Sequence, residues 1–309
     1  MRIAARLLAC AGLLAAFELA SFAARASLPA LGAPADSPCG SAHWKGMSLQ
    51  DLAKHATRTA QAGGPQEWDP CALTQLRERG SASVPVFIEL IKNPLTRGEA
   101  MFSLLGMGSQ AAPAVRAIEQ VIDEDQGAAT YGIRILTVIG ITTPEQVVPA
   151  LIRYSSSVPE ETAISAIVAL HNLGRTAVSA IDSLVTIALS DTIPPSLAVK
   201  NAAADTAVRL GEFEPDKIGP YLIRLAQRVE LAPGICEGVQ FMGVAAKPWA
   251  SALQPDFDAA LLIAKKREEE INDSKESAEL YRELMRTRES AWCIKQALAI
   301  LSDSNVSPK

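Results

Sequence analysis

A chain of 309 residues with 49% hydrophobic content and a mean hydropathy of +0.15 can bury a large core, yet only 5% of it is aromatic, so that core must be built from Ala, Leu, Ile and Val. Small side chains let helices approach closely and Ala is the best helix former; with no segment alternating at period 2, an all-α fold is expected. The net charge of −5 argues against the basic stripe that phosphate neutralisation needs, so nucleic acid is not an expected partner.

At the N-terminus, Arg2 and Arg6 precede an apolar run over residues 7–17, and Ala24-Arg25-Ala26 places small residues at both cleavage-determining positions before Ser27. This is the form of a secretory signal peptide over residues 1–26, with Ser21-Phe22-Ala23 as another cleavage site. The run is well short of the ~20 residues that span a bilayer, and Glu18 follows it, so no membrane span is expected to remain. Cys10 lies inside the run, too near the start to be an acylated residue. Cleavage would leave 26 basic and 33 acidic residues, a net charge of −7, in the periplasm or extracellular space. Residues 27–47 begin with the Pro- and Ala-rich spacer SLPALGAPADSP.

Residues 48–83 read as N-terminal capping helices: SLQDLAKHATRTAQA is amphipathic with Ser48 as its cap, and Asp69-Pro70 opens a second helix carrying Cys71. From 84 to 253 a pattern recurs. Gly106, Gly140, Gly174, Gly211 and Gly243 follow one another at 34, 34, 37 and 32 residues, each closing an apolar, alanine-rich segment. Met101, Leu104 and Leu105 share a helical face, Gly106 and Gly108 end it, Ser109 caps, and Ala114, Val115, Ile118, Val121 and Ile122 resume the spacing. Thr143-Pro144-Glu145-Gln146 has the pattern of a capping box with Pro at the first helical position. Each glycine is expected in the turn after the first helix of a pair, either left-handed or at a close helix approach.

Residues 254–309 turn charged after Gln254-Pro255. Lys265 with Glu269, Lys266 with Glu270 and Glu279 with Arg282 stand at helix-neighbour spacing, and Trp292, Ile294, Leu298 and Leu301 give the last helix an apolar face that caps the stack. Asp256 and Asp258 follow Pro255 and point apart, which suits N-terminal dipole stabilisation better than shared acid–base work.

The unit A-x-x-x-L-G, a small turn, then a Pro-containing apolar helix resembles HEAT repeats, especially the short HEAT-like units of phycobilisome-lyase type. Tetratricopeptide repeats share the period, but they carry aromatic residues at fixed offsets and a Pro at the end of the second helix; the ankyrin T-P-L-H signature is missing. The resemblance implies a right-handed α-solenoid of antiparallel helix pairs with period about 34. It further implies that second helices line a concave face, which would bring forward Arg116, Arg153, Lys217 and Arg224 as candidates for an anionic ligand.

The four cysteines beyond the signal segment are expected as two disulfides, Cys39–Cys71 and Cys236–Cys293, because stacked repeats contact only their neighbours. No C-x-x-C and no nearby His pair suggests zinc, and no cofactor is expected. His43, His55 and His171 are scattered, His171 reading as structural; H-E-x-x-H, G-x-S-x-G and phosphate-cradling motifs are missing from the sequence. The leading expectation is therefore a non-enzymatic scaffold for a protein or peptide, with an enzyme or enzyme subunit related to HEAT-like lyases, or a structural part of an envelope assembly, as alternatives.

Overall fold

The computed structural model describes residues 39, 42–61, 70–157, 159–191, 196–228, 231–272 and 278–302. The expected signal segment, residues 1–26, and the Pro- and Ala-rich spacer, residues 27–38, lie outside the described residues, which contain helices and turns and no strand. The chain divides into two compact units, residues 1–121 and 122–309.

In the first unit, α1 (Ala42–Gly46), α2 (Leu49–Gln61) and α3 (Pro70–Glu78) precede α4 (Val84–Lys92) and α5 (Pro94–Met107). Ser48 caps α2 as expected: its Oγ accepts from the Asp51 amide at 3.1 Å and donates to the Asp51 carboxylate at 2.7 Å. Asn93 caps α5, accepting from the Leu95 amide at 3.0 Å, and Pro94 follows at N1, where its missing N–H has no helical partner to lose. Phe87, Leu52, Leu76, Ile91, Met101 and Leu104 form the core of this unit.

α6 (Val115–Glu124) runs across the division between the units. The second unit continues with α7 (Gln126–Gly140), α8 (Pro144–Tyr154), α9 (Glu160–Leu173), α10 (Ile181–Leu189), α11 (Leu197–Leu210), α12 (Pro215–Ala226), α13 (Ala232–Met242), α14 (Ala250–Asn272) and α15 (Ala278–Ser302). The first helices α7, α9, α11, α13 and α15 touch in succession, and among the second helices α10 meets α12 and α12 meets α14. Each helix therefore buries its apolar stripe on its neighbours. The stretch Glu160–Leu189 is long and apolar enough to cross a membrane, but half of it is buried inside the fold and Gly174 interrupts it.

The glycines at the ends of the first helices are of two kinds that alternate, with Gly108 in the place expected of Gly106. Gly108, Gly174 and Gly243 have φ of +57°, +54° and +54°, and each begins a seven-residue 3₁₀ segment (Gly108–Ala114, Gly174–Ala180, Gly243–Trp249) leading into the second helix. Gly140 and Gly211 are not left-handed. A Cβ on Gly140 would lie 3.0 Å from Val147 and 3.2 Å from Leu173, and one on Gly211 would overlap Ile218. Val147 and Ile218 hold the same place, three residues after Pro144 and Pro215 at the N1 positions of α8 and α12. Gly106 belongs to neither kind. It lies within α5, exposed, with nothing within 4 Å of the place a Cβ would take, because α5 continues to Met107 and the break falls at Gly108.

Other local expectations shift for physical reasons. Ser109 makes no cap, since the 3₁₀ segment leads directly into α6. The Thr143 hydroxyl donates back to the Ile139 carbonyl at 3.0 Å and so does not close a capping box. α14 starts at Ala250 and runs through Pro255, so Asp256 and Asp258 lie inside the helix, where Asp258 accepts from the Gln254 amide at 3.1 Å. On α15, Ile294 and Ala297 are buried while Trp292 is half exposed; Leu298 is partly exposed, and the side chains of Leu301, Glu279 and Arg282 lie outside the described residues.

Cys39 and Cys71 lie at disulfide distance, as do Cys236 and Cys293, the two expected pairings. The first ties the segment before α1 to α3 and the second ties α13 to α15, each within one unit. In the chain-entropy model each contributes about 4 kcal/mol. Gln75 Nε2 donates to the Cys39 carbonyl at 3.2 Å and Gln240 Nε2 to the Cys293 carbonyl at 3.1 Å, so the backbone beside each staple is also held.

The two kinds of glycine separate by substitution. Gly174→Val should cost about 1–2 kcal/mol from left-handed strain, and Gly211→Ala about 1–3 kcal/mol from crowding against Ile218. Gly106→Ala, in an open helical position, should leave the protein up to about 1 kcal/mol more stable. Denaturant midpoints of the three variants check this; equal losses at all three positions would contradict it.

Candidate functional site

Helices α9, α11 and α13 bring one mixed cluster together in the second unit. Asp205 and Arg209 stand six and two residues before Gly211, and Glu237 and Phe241 stand six and two residues before Gly243. These positions lie beside the alanine stripe that buries α11 (Ala203, Ala204, Ala207), so they project along the edge of the packed face. Gly238 sets the depth: a Cβ there would lie 2.5 Å from Val208 and 3.3 Å from the Asp205 carbonyl, so α13 can approach α11 this closely only with glycine at the contact.

Arg209 is the hub. Its Nε donates to Asp205 Oδ1 at 2.7 Å, one turn back on the same helix, and its terminal nitrogen reaches Glu237 Oε2 at 3.2 Å on the next first helix. The guanidinium carbon is 5.3 Å from the Phe241 ring centroid. Arg209 and Asp205 are mostly covered, with side chains 24% and 21% exposed, whereas Glu237 is 59% exposed. Burial pushes the Asp205 carboxyl up, opposed by the hydrogen bond and charge of Arg209. On α9, burial and then the charge of Arg209 push His171 down, so its imidazole is neutral at physiological pH. Val168, one turn before His171, and Phe241 are exposed at 47% and 50%.

Histidine, carboxylate and arginine are the residue types of acid–base chemistry, but here both carboxylates are engaged by Arg209, an arrangement suited to ionic recognition. Among the described residues no three His, Cys, Asp or Glu side chains gather as metal ligands. The cluster around His171 was not legible in the sequence, although acidic residues recurring six positions before Gly211 and Gly243 were its signal.

The four candidate cations of the second helices have different surroundings. Arg116 is exposed on α6 in the first unit. Arg153 pairs with Asp123 at 3.4 Å, donates to Tyr154 Oη at 2.6 Å and stacks over that ring, while Tyr154 Oη donates to Asp123 at 2.9 Å. The trio recurs as Lys217 and Tyr221 on Asp182, at 3.3 and 2.9 Å. Arg228 grips Asp191 at 2.8 and 3.3 Å and holds its carboxyl below the usual range. Arg224, at the place in α12 that Arg153 holds in α8, is exposed. Arg153 and Lys217 thus join their own helix to the preceding aspartate. His43, Trp44 and His55 stack edge to face in the first unit, beside an open hollow of about 260 Å³ lined by Met47, Asp51, Lys54 and His55.

The chain matches no family model and no curated protein. A solved structure described as "Computational Design of Self-Assembling Cyclic Protein Homooligomers" resembles it at 17% identity over 84% of this chain and 96% of that one, with a TM-score of 0.21, a likeness too slight to argue from.

The pH dependence of stability follows from His171. Its folded-state pKa lies below the unfolded value of 6.5, so the unfolded chain takes up the proton first. The contribution is complete above 6.5 and is lost as pH falls through the folded value. Unfolding midpoints should therefore drop on acidification below neutrality, and His171→Gln should flatten that slope; an unchanged slope in the variant would contradict it.

Proposed function

We propose that this chain is an exported, non-enzymatic binding protein, a right-handed array of HEAT-like repeats, that holds a segment of a protein partner in which an apolar side chain stands beside a basic one. The observation that carries this reading is the cluster on α9, α11 and α13. Arg209 is shared by Asp205 and the largely exposed Glu237, His171 on the neighbouring helix is neutral, and Phe241 under the guanidinium and Val168 one turn from His171 present apolar surface. Arginine and large aromatic side chains at a desolvated centre are what binding hot spots are made of. On this reading the contact lies on the first helices, whereas the HEAT resemblance points to the second, where Arg153 and Lys217 are engaged in joints between helices.

A display screen of random peptides against the purified protein should enrich segments with a Lys or Arg next to an apolar residue. Phe241→Ala should weaken the selected peptides about tenfold or more, and Glu237→Gln should reduce the preference for the basic residue. A screen that enriches nothing, or peptides indifferent to both variants, would refute the reading.

Export is supported by the signal-type N-terminus and by two cysteine pairs at disulfide distance, which persist in oxidising compartments. The protein recovered from its native cell envelope or medium should begin at Ser27, and non-reducing peptide mapping should return the pairs Cys39–Cys71 and Cys236–Cys293. An N-terminus at Met1, or free thiols at all four positions, would overturn it.

A further inference from the structure

The structure assigns a second interaction surface, on α14, to a second copy of this chain paired antiparallel about Leu262. The inner side of α14 carries Leu253, Phe257, Ala260 and Ile271, all buried. The opposite side carries Leu262, 69% exposed in mid-helix, and Ile263, 53% exposed, stands on the flank between the two sides; both are among the larger apolar side chains the described surface leaves in water. α15 does not cover them: its Arg288 reaches α14 at Glu268, at 2.7 Å, on another flank. Arg267 pairs along its own helix with Glu270 at 3.1 Å.

The charges around this apolar centre name its occupant. Asp258 lies four residues before Leu262, and Lys265 and Lys266 lie three and four residues after it, all exposed. Asp258 and Lys266 thus stand about 6 Å along the axis on either side of Leu262. A two-fold axis through Leu262 brings an identical α14 alongside in the opposite direction. Each Asp258 then lies level with Lys266 of the other copy, with Lys265 one residue nearer the axis, and Leu262 meets Leu262. Parallel pairing in register would set Asp258 against Asp258 and lysine against lysine, so the charge order selects the antiparallel dimer. Gln254, donating to both Asp258 oxygens at 3.2 and 3.1 Å, holds that carboxylate in place.

Sedimentation of the purified protein from about 1 μM to about 1 mM should show a reversible monomer–dimer equilibrium. Leu262→Asp should leave a folded monomer, with helical circular dichroism unchanged. Joint Lys265→Glu and Lys266→Glu should weaken the dimer about tenfold, since the symmetry makes each change count twice, and adding Asp258→Lys should restore it. Leu262→Cys should cross-link into a covalent dimer under mild oxidation, because a residue on the axis meets itself; Leu197→Cys, exposed on α11, should not. A single-chain mass at every concentration, a dimer that persists in Leu262→Asp, or failure of the charge swap to restore association would each overturn the proposal.

Discussion

Close approach between helices through alanine and glycine is the constraint on which the second unit rests. With so few aromatic side chains, a helix here can remove enough apolar surface from water only by coming near its neighbour. Ala203, Ala204 and Ala207 on α11, Gly238 on α13 and Gly219 on α12, which faces Trp249, make that approach possible. A methyl group added at Gly211, Gly219 or Gly238 would meet a side chain already in place. The small residues are therefore part of the interior as much as the leucines are.

The alternation of joints along the chain has a longer period than the glycine spacing suggests. Left-handed glycines at 108, 174 and 243 are followed by 3₁₀ segments, while Gly140 and Gly211 are followed by a short turn and a proline at N1. The segments around Gly140 and Gly211 match each other closely: GITTPEQVVPALIR and GEFEPDKIGPYLIR share the glycine, both prolines and the Leu-Ile-Arg that ends them. The two joints solve one problem differently. A positive φ reverses the chain at once, at the cost of excluding other residues, whereas a turn ending in proline uses a preset φ and requires that the preceding helix end lie flat against the next helix.

Polar groups occupy the edges of this packing in two distinct patterns. Along the second helices, Asp123 with Arg153 and Tyr154, and Asp182 with Lys217 and Tyr221, repeat an aspartate–cation–tyrosine bracket between neighbouring helices. Exposed pairs of this kind add little stability singly, and their value is in fixing register. Along the first helices, Arg209 is more deeply set and shared, so its charge reaches both Asp205 and His171. The difference in burial separates a bracket held at the surface from a cluster set into the packed face.

Periodicity and composition made the helical class, the helix pairs and the two cysteine pairings legible in the sequence alone, because each follows from local spacing: apolar residues at helical intervals, prolines at helix starts, cysteines near the ends of a neighbour-contact array. Ser48 as a cap was legible for the same reason. The two kinds of glycine were not, since φ and the room around a missing Cβ are set by the partner helix; Gly106 and Gly108 could be told apart only once α5 was seen to continue between them. Nor was the cluster on α9, α11 and α13 legible as a site. Asp205, Arg209, Glu237, Phe241 and His171 are spread over about seventy residues, and only the close approach that Gly238 permits brings them around one guanidinium. Local pattern determined what each helix is. Tertiary packing decided which of their edges meet, because that depends on the distance between helices and not on the order of residues within one.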